Sequence, residues 1–137
     1  MNKYLICFTL LILPLSSYSE EDIESNYRKN YIEKMTPIMM EKMIDAMPEE
    51  SLEQIENQTN ILVTKMAGCQ YESVENYPKE YWNNAIIPIA IGEDIFESVE
   101  KFESFLSTQV ERGNISEEEI GILLGTTKAK LEKCIKS

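Results

Sequence analysis

Apolar side chains recur along this chain at helical spacing. Ile23, Tyr27, Tyr31, Met35, Met39, Met43 and Met47 step by four without exception. On one straight α-helix each such step drifts by about 40°, so the ladder would wrap around the helix. Thr36-Pro37 offers a reset, with threonine as an N-cap and proline at the first helical position. The pattern therefore predicts one helix over 21–35, a break, and a second helix from Pro37 to Met47. Leu52, Ile55, Thr59, Leu62, Met66 and Cys69 then alternate steps of three and four, the signature of one inward seam. That helix is placed over 51–68, with Glu49-Glu50 in its first turn and Gly68 at its end.

Residues 70–92 are less regular. Pro78 can open a short helix from Lys79 to Ile87, and the apolar run Ala85–Gly92 reads as a buried helical turn and loop, because Pro88 argues against a central strand. The period returns with Ile95, Phe96, Val99, Phe102, Leu106 and Val110, closed by Gly113-Asn114. Ser116 and Glu119 then form a capping box. The last helix should turn Ile120, Leu123, Leu124, Thr127, Leu131, Cys134 and Ile135 inward, and Lys128, Lys130, Lys133 and Lys136 gather towards its end, where positive charge suits the helix dipole. Gly121 and Gly125 leave a flat spot on it. Together these elements predict an all-α fold, a small bundle of about five helices in a single domain over 20–137, without repeats.

The first nineteen residues differ from the rest. Lys3 precedes an apolar stretch from Tyr4 to Leu15, and Ser17 and Ser19 place small residues ahead of an abrupt acidic start at Glu20. This is the anatomy of a cleaved secretory signal peptide over 1–19, and the apolar run is short of the about 20 residues a membrane span needs. Periplasmic or secreted localisation follows as the expectation. It changes how the cysteines read. Cys7 leaves with the leader, and Cys69 and Cys134 remain as an even pair in an oxidising compartment, which predicts one disulfide. No C-x-x-C spacing suggests redox chemistry.

Composition narrows the function classes. The chain of 137 residues contains no histidine. Ser-His-Asp and Cys-His catalytic sites and His-ligated zinc are thereby excluded. The formal net charge is −11, and loss of Lys3 makes it one unit more negative. Such a surface disfavours nucleic acid and anionic lipid and favours a basic partner. Five methionines lie between Met35 and Met47. They read as adaptable core, as a groove, or as a soft-metal site for Cu(I) or Ag(I) using Met35, Met39, Met43 and Met47. The acidic runs read mainly as helix starts, and no D-x-D-x-D-G calcium loop occurs. Tyr71, Tyr77, Tyr81 and Trp82 form an aromatic cluster of the kind that anchors a partner or caps a core. Asn57 and Asn114 match the N-glycosylation pattern.

The sequence leads to an exported, non-enzymatic binding protein that meets a basic protein, in the manner of an inhibitor, an immunity protein or an accessory chaperone, with no cofactor. The alternatives are a soft-metal carrier built on the methionine stripe and a hydrolase with a carboxylate site.

Overall fold

The computed structural model describes residues 19–137, which form five α-helices and no strand. The helices are α1 (Glu20–Ala46), α2 (Leu52–Ser73), α3 (Lys79–Ala90), α4 (Ile95–Glu111) and α5 (Glu117–Lys136). The leader expected over 1–19 lies, except for Ser19, outside the described residues. Ser19 itself is the N-cap of α1 and forms a capping box with Asp22. Helix α1 packs on α2 and α3, α4 packs on α3, and α5 packs on α2.

The break expected at Thr36-Pro37 does not occur. Helix α1 runs unbroken through Pro37. A proline here leaves the Glu33 carbonyl without its helical N–H, but Glu33 and Pro37 are both exposed, so water reaches the freed group. The Thr36 hydroxyl turns back and donates to the Ile32 carbonyl at 2.7 Å instead of capping a new helix. Packing holds the two halves in line: Tyr27 and Tyr31 before the proline are buried, and Met35 and Met39 on either side of it pack against the same core.

Helix α2 begins one residue later than expected, with Ser51 as N-cap and Gln54 completing a capping box. Glu49 and Glu50 therefore precede the helix. Gly68 does not end it: α2 continues to Ser73. Its buried line is Ile55, Thr59, Val63 and Ala67, a step of four that matches the ladder on α1, while Leu52 is 65% exposed. Thr59, fully enclosed, meets α1 through a contact from its Oγ1 to the Met40 Sδ at 3.7 Å. Gly68 lies beneath Arg28, and a β-carbon there would run into the guanidinium group.

The apolar run after Trp82 is helical as far as Ala90, with Pro88 inside α3. Gly92, at φ +93°, turns the chain out, and the N–H groups of Gly92 and Glu93 return to the carbonyls of Ile89 and Pro88. The Asn30 side chain donates to the carbonyls of Ile89 and Ala90 at 3.0 and 2.9 Å, so α1 caps the end of α3. Gly113, at φ +71°, closes α4 in the same way.

Helix α4 is rotated from its expected seam. Ser98 and Gln109 are buried, while Phe96 and Val99 face outward. Ser98 can be buried because its hydroxyl donates to the Asp94 carbonyl, and Gln109 because its Oε1 accepts from the Asn114 side chain. What the core takes from α4 besides Ile95 and Leu106 is aromatic: Phe102 stacks with Tyr77, and Phe105 meets Tyr81 edge-on.

The last helix departs most from expectation, since none of its described residues is fully buried. Leu123, Thr127 and Leu131 are half-buried, and Leu124 is largely exposed. Leu124, Thr127 and Leu131 close one side of an apolar crevice of about 200 Å³ reached by the other helices. Three specific ties hold α5 in place. They are the Cys69–Cys134 disulfide to α2, a 2.7 Å hydrogen bond between the Tyr77 and Thr127 hydroxyls, and an ion pair from Lys130 to Glu75 at 3.9 Å.

With so little burial of its own, α5 depends on the disulfide more than the other helices do. The paired variant Cys69→Ser/Cys134→Ser should lose roughly 2–4 kcal/mol of stability in urea denaturation. Native-state hydrogen exchange should show α5 amides opening before those of α1–α3; uniform loss of protection across all five helices would contradict this assignment.

Candidate functional site

The start of α1, the end of α2 and the start of α3 meet around a cleft of about 480 Å³. Its walls carry Tyr71, Tyr77 and Trp82. Its rim carries Glu20, Glu21, Glu24 and Glu75, with Lys79 beside them. The structure thus brings three of the four sequence-marked aromatics to one place. Tyr81 is not among them; it is buried against Phe105 of α4, with ring centres 5.1 Å apart.

The aromatic wall continues into the core. Trp82 meets Tyr71 edge-on at 6.1 Å, Tyr71 meets Tyr27 at 5.5 Å, and Tyr27 stacks on Tyr31 at 6.0 Å. Edge-on and offset ring pairs of this kind each add about 0.5–1.5 kcal/mol beyond the burial of their area. The cleft floor is therefore the outer end of the same aromatic line that joins α1 to α2 and α3. Trp82 is only 8% exposed, which holds its ring in place, and Lys79 covers part of its face.

Two cations already sit on these rings. Lys79 Nζ lies 4.3 Å from the centre of the Trp82 ring and 3.5 Å from Glu20 Oε1. Arg28 lies 5.9 Å from the centre of the Tyr71 ring. Its guanidinium also pairs with Glu24 at 2.6 Å and reaches Glu72 at 3.5 Å. The absence of a side chain at Gly68 gives Arg28 the room to lie there. Each arrangement places a positive group against an aromatic face with a carboxylate alongside, the geometry that attracts ammonium and guanidinium groups.

The field of the carboxylates is felt in the wall. The Tyr71 hydroxyl is held above the ordinary phenol range first by burial, then by the charges of Glu24 and Glu20, with Arg28 opposing them. Beneath it, burial pushes the Tyr27 hydroxyl up strongly, and the neighbouring Tyr31 adds to the effect.

The other sequence-marked residues lie elsewhere. Cys69 and Cys134 form the disulfide, with Cα atoms 5.6 Å apart. Met35, Met39, Met43 and Met47 are all half-buried along α1. Met35 and Met39 pack against the core cluster. Asn57 is exposed on α2, and the Asn114 side chain is engaged by Gln109. Four members of the cleft carried no signal as a site: Glu24, Glu75, Lys79 and, behind the wall, Arg28. One cue was available, because Glu20 and Glu24 are four apart and so share a helix face.

No protein-family model, curated protein or solved structure matches this chain. What defines the site is therefore its own chemistry. It is an acid-rimmed aromatic cleft on a disulfide-stapled helical bundle, and it is suited to a positively charged group.

The raised phenols have a consequence for stability. A tyrosine held neutral by burial contributes stability below the unfolded value of about 10, and that contribution is lost as pH rises past it, because the unfolded chain releases its proton first. Alkaline unfolding followed by circular dichroism should begin near that pH. Tyr27→Phe, which keeps the ring and removes the ionisable group, should move the midpoint to higher pH; an unchanged or lower midpoint would contradict the burial argument.

Proposed function

We propose that this is an exported, non-enzymatic binding protein whose cleft receives a lysine or arginine side chain of a basic protein partner. The observation that carries this reading is Lys79, a cation of the chain's own held between the Trp82 ring and Glu20. Lys79 and Glu20 are mostly exposed, so that pairing contributes little to stability and a better-placed cation can displace it. The acidic balance of the chain would draw a basic partner in and speed its encounter. An inhibitor, an immunity protein and an accessory chaperone all work by covering a partner's surface in this manner.

Export is supported by the leader-like start and by the disulfide, since such bonds persist in oxidising compartments. Among the described residues no helix is long and apolar enough to cross a membrane.

Binding fits the cleft better than carboxylate hydrolysis does. A general acid of that chemistry needs a carboxyl group placed in an apolar, desolvated setting. Here Glu20, Glu24 and Glu75 are exposed or partly exposed and each is engaged by a cation: Lys79, Arg28 and Lys130 respectively.

Trp82 is the chain's one tryptophan, so its fluorescence reports on the cleft alone. Titration with a lysine- and arginine-rich peptide should change that emission, and added salt should reverse it. The triple variant Glu20→Gln/Glu21→Gln/Glu75→Gln should weaken the response about tenfold or more. Lys79→Ala should strengthen it by removing the internal competitor. A control that neutralises three carboxylates far from the cleft, Glu49, Glu53 and Glu56, all exposed, should have little effect. Equal weakening by the control and the cleft variant would mean that only net charge matters and would refute the site.

A further inference from the structure

A second groove lies between α4 and α5, on residues the cleft does not use. It encloses about 550 Å³. Leu106 and Val110 of α4 and Ile120 and Leu124 of α5 supply its apolar lining, and Glu103, Glu111 and Glu117 its charge. No described lysine or arginine lines it.

The two helices present the same pattern to this space. Glu103, Leu106, Ser107 and Val110 on α4 repeat as Glu117, Ile120, Gly121 and Leu124 on α5. Each set reads acid, apolar three on, small four on and apolar seven on, which places all four positions within about 100° of one helix face. The small residue in each set lets a neighbouring backbone come close. At Gly121 that space is open, because a β-carbon there would meet no described atom within 4 Å. Leu106 is buried at the floor while Leu124 remains 42% exposed. Two matched helix faces with a gap between them are the setting into which a third helix packs.

We propose that this groove docks an amphipathic basic helix of a partner protein. The helix would lay an apolar stripe on Leu106, Val110, Ile120 and Leu124 and bring lysine or arginine side chains to the carboxylates. Charge complementarity selects this occupant. Glu103 and Glu111 are eight residues apart on α4, about 12 Å along its axis, which matches cations spaced two turns apart on a partner helix. A second copy of this chain would set the three carboxylates of one groove against those of the other, and an anionic lipid surface would be repelled by the same charges.

The probe is a leucine- and lysine-rich amphipathic peptide of about 15 residues, compared with a scrambled peptide of the same composition. It is titrated into the ¹⁵N-labelled protein and followed by amide chemical shifts. Shifts should concentrate in 103–111 and 117–125, and the scrambled peptide should bind more weakly. Leu124→Lys should weaken binding about tenfold or more, whereas Phe96→Lys, the same charge change on an exposed residue outside the groove, should change it less than about twofold. Gly121→Leu favours the helix and so preserves the fold, yet it fills the open space and should also weaken binding. The cleft variant Glu20→Gln/Glu21→Gln, which keeps the Glu75–Lys130 tie to α5, should change this affinity less than about twofold, so the two sites can fail separately. Four results would overturn the proposal: no binding at millimolar peptide, shifts confined to the cleft, equal weakening by Phe96→Lys and Leu124→Lys, or a dimer in sedimentation that Leu124→Lys abolishes.

Discussion

Everything in this molecule hangs on a line of rings. Tyr27 and Tyr31 are the two fully buried residues of α1, so a long and mostly polar helix is anchored to the rest of the chain by two tyrosines one turn apart. Their rings pass contact to Tyr71 and Trp82, which fixes the relation of α1 to α2 and α3. Once those three helices are set, Asn30 can reach and cap the end of α3, and Arg28 can lie across Gly68. The rest is added from outside: α4 through its phenylalanines, and α5 through the disulfide and the Tyr77–Thr127 hydrogen bond.

The same line explains why the cleft forms where it does. Aromatic rings at the end of a core must be partly wet, and their faces carry a negative quadrupole that attracts cations. Carboxylates cannot be buried without pairing, so they collect on the rim. The helix start of α1 supplies two of them, Glu20 and Glu21, for its own reasons, since acidic residues favour the positive end of the dipole. Fold-stabilising preferences thus assemble an acid-rimmed aromatic cleft, and within the chain Lys79 and Arg28 lie against its aromatic rings.

Much of the fold was legible in the sequence wherever signals are local. The capping box at Ser116, the helix end at Gly113 and the pairing of Cys69 with Cys134 follow from residue chemistry over a few positions or from counting cysteines. The misreadings share a cause. Thr36-Pro37 has the chemistry of a helix start, but tertiary packing on both sides of Pro37 outweighs the local cost. Gly68 resembles a helix end, yet its role is to admit a side chain from another helix, a contact forty residues away in sequence. On α4 the apolar pattern points to Val99, while the structure buries Ser98, because a serine in a helix can satisfy its own hydroxyl on the preceding turn. The cleft was half legible: Tyr71, Tyr77 and Trp82 stood out, but the carboxylates that complete it come from α1 and from the connection after α2, and nothing in one dimension brings Glu75 to the same cleft as Glu20.

In the proposed reading the Trp82 face is a cation seat held provisionally by Lys79. Nuclear magnetic resonance of the Lys79 ε-methylene protons tests it most directly, because a position above the indole ring moves their signal upfield. The expected result is an upfield signal in the free protein that returns towards the ordinary lysine position as arginine amide is added, with the Trp82 ring signals moving in step. An ordinary position in the free protein, or an upfield signal that saturating arginine amide leaves in place, would contradict it.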